Sequence, residues 1–65
     1  MKDYTNSQIS AVIDEHIHNQ MHRDILKLRF IDGCTYEAIA EDVGRSPRQV
    51  ATIISRDVLK IEKHL

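Results

Sequence analysis

The stretch "AEDVGRSPRQVATI", residues 40–53, constrains the fold more than any other part of this 65-residue chain. It holds the single proline and one of the two glycines. Gly44 ends one helical apolar pattern, because glycine takes the positive φ of a helix stop at no steric cost. Ser46 opens the next as an N-cap, Pro47 falls at the first helical position, and Gln49 stands three residues after the cap. These are separate helix-start signals that agree on one boundary. Two helices joined by so short a turn cross closely, so a small residue is wanted at the crossing; Ala40 fits. Ile39, Val43, Val50 and Ile53 are placed to fill the wedge between them. The match runs from Tyr36 to Ser55 and predicts a helix-turn-helix.

The rest of the chain reads as helix too, with no alternating strand segment, repeat or linker. Thr5 and Gln8 fit a capping box, and Ile9, Val12, Ile13 and Ile17 follow at helical spacing, predicting a helix over 6–17. "HNQ" breaks it, and Asn19 is placed to cap a second helix over 20–31. That helix carries Met21, Ile25 and Leu28 on one side, with Leu26 and Phe30 on another; such a helix is central or has a second partner. Gly33 ends it, and Thr35 caps a third helix over 36–43, with Glu37 suited to its dipole. Val50, Ile53, Ile54, Val58, Ile61 and Leu65 form the inner stripe of a long fourth helix over 47–64. The expectation is a single all-α domain over 1–65, a small four-helix bundle containing a helix-turn-helix.

A chain of this length buries only about 60% of its unfolded surface and has little room for a deep cleft beside its core, which argues against an enzyme. No apolar run approaches the roughly 20 residues of a membrane-spanning helix, and "MKDYTNSQIS" is no signal peptide. Cys34 is the single cysteine, so no internal disulfide forms and a reducing cytoplasm is expected. Cys34 has no nearby His–Asp arrangement to activate it. His18 and His22 are spaced as metal ligands on one helix, with His16 near. They straddle the helix break, however, and no cysteine or carboxylate completes a site. They read as solvated histidines, and no metal or cofactor is expected. Glu41 and Asp42, adjacent in sequence, point apart on a helix and solvate it.

The formal net charge is −1, but its distribution is uneven. Residues 1–44 hold four basic and eight acidic side chains, a net of −4; residues 45–65 hold five basic and two acidic, a net of +3. Local charge rather than the total steers a polyanion. At 100° per residue, the face of helix four opposite its apolar stripe carries Arg48, Thr52, Ser55, Arg56 and Lys63, with Gln49 at its edge. Arginine bonds a guanine edge bidentately and glutamine an adenine edge, and recognition helices use their N-terminal residues on bases. Arg48, Gln49 and Thr52 are placed for that. Arg45 and Ser46, at the positive end of the helix, suit a phosphate. A polar outer face alone is usually only solvated; the turn and the charge asymmetry turn it into a candidate double-stranded-DNA surface.

The residues "HRDILKLRFIDGCTYEAIAEDVGRSPRQVATIISRDVLKI" cover about two thirds of the chain. They resemble the promoter-recognising C-terminal domain of bacterial sigma factors, region four, which binds the minus-35 element. LuxR-type output domains share a similar four-helix pattern. The sigma resemblance implies bacterial or phage origin, DNA contact through Arg48, Gln49, Thr52 and Arg56, and contact with RNA polymerase. Arg45 departs from the family by occupying a turn position usually aliphatic, and Ala51 is small where a larger base-reading residue could sit. No polymerase-binding sigma domain accompanies the motif, so the expectation is a small regulator of phage or mobile-element type rather than a complete sigma factor. The alternative is a protein-interaction adaptor binding RNA polymerase or another transcription factor through Leu26, Phe30 and Leu59. Phe30 is also placed for the core, and a single exposed Leu59 is common. A monomer with few phosphate contacts binds weakly, so a homodimer, tandem sites or a tethering partner would supply specificity.

Overall fold

The computed structural model describes residues 4–65. Its four helices are α1 (Asn6–His16), α2 (Gln20–Phe30), α3 (Tyr36–Val43) and α4 (Pro47–Glu62), and there is no strand among the described residues. Each helix starts where a side chain satisfies its otherwise unpaired backbone N–H groups. The Thr5 hydroxyl accepts from the Gln8 N–H at 3.1 Å, and Gln8 Oε1 accepts from the Thr5 N–H at 2.9 Å. Asn19 Oδ1 accepts from the His22 N–H and Thr35 Oγ1 from the Ala38 N–H, each at 3.1 Å. Ser46 and Gln49 form a second reciprocal box, both bonds 3.2 Å long.

Three helices end earlier than apolar periodicity predicts. Ile17 and Ile31 close α1 and α2 as C-caps, and α4 ends at Glu62. Side-chain spacing reports which face is inward, not where the hydrogen-bond ladder stops. The stop after α3 is sharp: Gly44 takes φ +71° and ψ 33°, and the Arg45 N–H reaches back to the Ala40 carbonyl at 2.9 Å.

Every helix contributes to one core. Ile13 and Ile17 come from α1 and its cap, Ile25 and Leu26 from α2, Ile39 and Ala40 from α3, and Val50, Ile54 and Ile61 from α4. Burying each large side chain is worth about 1.5–3 kcal/mol. Ala40 is 3% exposed, as a close α3–α4 crossing requires. The stripe on α4 also contains a charge. Asp57 falls between Ile54 and Ile61 and is 4% exposed. Its carboxylate accepts from His22 Nδ1 at 2.9 Å, while Lys60 Nζ stands 3.8 Å from the other oxygen. The pair pins the first turn of α2 to the middle of α4.

The packing corrects three expectations. Leu26 is fully buried, so it cannot form a docking patch. Phe30, placed for the core, is 39% exposed at the last turn of α2. The histidines are not all solvated either. His22 is held by Asp57, and the His16 and His64 rings stack with centroids 3.4 Å apart.

Candidate nucleic-acid interface

The α3–α4 turn fixes the angle at which α4 leaves the core. With Val50, Ile54, Asp57 and Ile61 turned inward, Arg48, Gln49, Thr52, Ser55 and Arg56 are all exposed on the opposite side, and Arg45 and Ser46 are exposed in the turn before them. No acidic residue occurs between Arg45 and Arg56. The next one, Asp57, is withdrawn into the core and paired with His22, so it does not offset the positive face. A helix of 16 residues is about 24 Å long. The basic and hydroxyl side chains up to Arg56 occupy its N-terminal part.

The structure brings Arg45, Arg48, Gln49 and Thr52 around a shallow hollow of about 350 Å³, floored by Met21 and Ile53. Ser55 and Arg56 stand outside it, further along the helix. Ser46 also lies outside, at the N-cap. The side chains differ in what they have free to offer. No ion pair or side-chain hydrogen bond engages the Arg48 guanidinium among the described residues. The Thr52 hydroxyl donates to the Arg48 carbonyl at 3.0 Å, which leaves its oxygen as an acceptor and its methyl as an apolar contact. Gln49 spends its Oε1 on the Ser46 N–H. One lone pair of Oε1 and both N–H groups of Nε2 stay unused, so an adenine contact would share Oε1 with the capping box. Arg45 donates from Nε to the sulphur of Met21 at 3.4 Å.

The sequence reading missed two residues that shape this surface. Asp57 was legible in part: it occupies an inward position in the Val50, Ile54, Ile61 stripe. Its partner, 35 residues away, was not. Met21 reads simply as an apolar residue on α2; only the tertiary fold sets it beside Arg45.

The candidate adaptor surface divides. Leu59 is 61% exposed on the outer side of α4. Phe30 lies elsewhere, in a groove of about 490 Å³ with Tyr4, Ile9, Val58, Ile61, Glu62 and Leu65. No three His, Cys, Asp or Glu side chains converge among the described residues. No helix among them is long and apolar enough to cross a membrane.

No curated protein and no solved structure matches the chain. Comparison with protein families does give a match: Sigma-70, region 4, aligns with residues 22–59, from the start of α2 to the outer turn of α4 that carries Leu59. That span is 38 of 65 residues and contains the whole helix-turn-helix, leaving α1 outside it. With the capped turn, the close α3–α4 crossing and the exposed basic helix, this match places the chain in the sigma-70 region 4 family of helix-turn-helix DNA-binding modules of transcription.

Proposed function

We propose that this protein is a sequence-specific transcription regulator that docks the N-terminal half of α4 in the major groove of double-stranded DNA. The observation that carries this reading is the exposed, acid-free stretch from Arg45 to Arg56 at the N-terminal part of α4, with no partner for the Arg48 guanidinium among the described residues. Arg48 reads a guanine edge and Thr52 a base or its methyl, while Gln49 offers its amide NH2 and shares its oxygen with the capping box. Arg45, Ser46, Ser55 and Arg56 set the register on the phosphates. The protein does no chemistry in this reading, and it acts in the cytoplasm. The phage or mobile-element origin suggested by the sequence finds no support in the fold or the family match.

The direct test is an NMR titration of labelled protein with a random-sequence duplex at low salt. Amides from Arg45 to Arg56 are expected to shift and to revert when salt is added. No shift at millimolar duplex refutes DNA docking. After selection of a target, Arg48→Ala should weaken specific binding by about 1–3 kcal/mol and relax sequence choice. Equal losses on specific and random duplexes would reduce Arg48 to a phosphate contact.

A second reading has its own observation. The apolar groove at Phe30 and the exposed Leu59 suit a helix-turn-helix adaptor for RNA polymerase or another transcription factor. Arg48→Glu separates the two, abolishing DNA binding while leaving such a protein complex intact.

A further inference from the structure

Met21 projects from the first turn of α2 and meets the α3–α4 turn across 24 residues of sequence. Its sulphur lies 3.4 Å from Arg45 Nε, which donates to it, and both side chains line the hollow shared with Arg48, Gln49 and Thr52. A guanidinium carries its N–H donors in a planar fork, so the Nε–H can be held while the two Nη groups remain available. Those Nη groups are the end that grips a phosphate bidentately. The choice of acceptor matters. A carboxylate would hold Arg45 more firmly but cancel the charge that a polyanion needs. A thioether is a weak, neutral acceptor that steers the side chain and leaves its charge intact. An exposed arginine without such a rest would sample many rotamers and bear the cost of ordering when it binds.

We infer that Met21 is a positioning residue for a phosphate contact made by Arg45, an inference that rests on the DNA-docking reading of α4. The α2 helix thereby takes part in nucleic-acid recognition without touching the nucleic acid.

The test compares wild type, Met21→Leu, Arg45→Ala and the double variant on a random-sequence duplex across a salt series, with the Arg45 Hε resonance of each free protein that retains Arg45 followed by NMR. Arg45→Ala is expected to reduce the salt slope by about 1. Met21→Leu is expected to weaken binding about two- to tenfold at fixed salt, but only where Arg45 is present. The Arg45 Hε resonance should move in Met21→Leu and in protein carrying norleucine, which removes the sulphur alone and guards against misfolding of the leucine variant. Equal loss in both Arg45 backgrounds, no loss in either, or an unmoved Hε resonance overturns the positioning role while DNA docking stands. Absence of duplex binding by all four proteins overturns DNA docking and this role together.

Discussion

Removing His22 should cost this protein more than removing Asp57, although they share one hydrogen bond. The Asp57 side chain is 5% exposed and the His22 side chain 30%, so the two ends lose different things. His22→Ala strands a carboxylate in the core with, among the described residues, only the Lys60 ammonium left beside it, at 3.8 Å. Breaking a buried pair in this way costs about 3–5 kcal/mol, and water entering through the gap left by His22 brings the value to the lower end. Asp57→Ala frees an imidazole that already reaches solvent. Its cost is the charge-assisted bond itself, about 1.5–3 kcal/mol. Asp57→Asn keeps an acceptor for His22 Nδ1 and should lose only about 1 kcal/mol. In a domain of this size each kcal/mol lowers Tm by about 4–8 °C. Urea and thermal unfolding followed by circular dichroism would rank the three variants. The double variant, with no stranded charge, should be less destabilised than the sum of the two alanine variants. Additivity within about 0.5 kcal/mol, or a His22→Ala variant as stable as wild type, would refute the claim that the pair locks α2 to α4.

Two further substitutions probe the fold by unfolding measurements. Leu26→Ala, at a fully buried position, should cost about 2–5 kcal/mol, and Phe30→Ala at the exposed end of the same helix should cost less; the reverse order would restore the docking patch expected at Leu26. Gly44→Ala should cost about 1–2 kcal/mol through backbone strain alone, since φ is +71° and a Cβ there meets nothing within 4 Å; an unchanged stability would show that the turn relaxes freely.

Much of the fold was legible because its signals are local. A cap hydrogen bond spans three residues, so Thr5, Asn19, Thr35 and Ser46 announced their helices in the sequence itself. The turn at Gly44 and the acid-free stretch from Arg45 to Arg56 are likewise properties of contiguous residues. They suffice to place the outward face of α4 and to suggest what it meets.

Depth along a helix and contacts across the chain are different in kind. Leu26 and Phe30 lie four residues apart on nearly the same side of α2, so periodicity treats them alike. The surrounding helices cover the first and stop short of the second, at the last turn. Asp57 has the spacing of a core residue and the chemistry of a surface one. His22, brought over from α2, supplies the hydrogen bond that its burial requires, with Lys60 beside the other oxygen. Met21 likewise means nothing for Arg45 until α2 packs beside the turn. Local hydrogen bonding and helical period therefore determined the elements and the charged face. Only the tertiary packing decided which charge would be hidden, which apolar side chain would stay exposed and which residue would steady Arg45, because each depends on partners that adjacency in sequence does not supply.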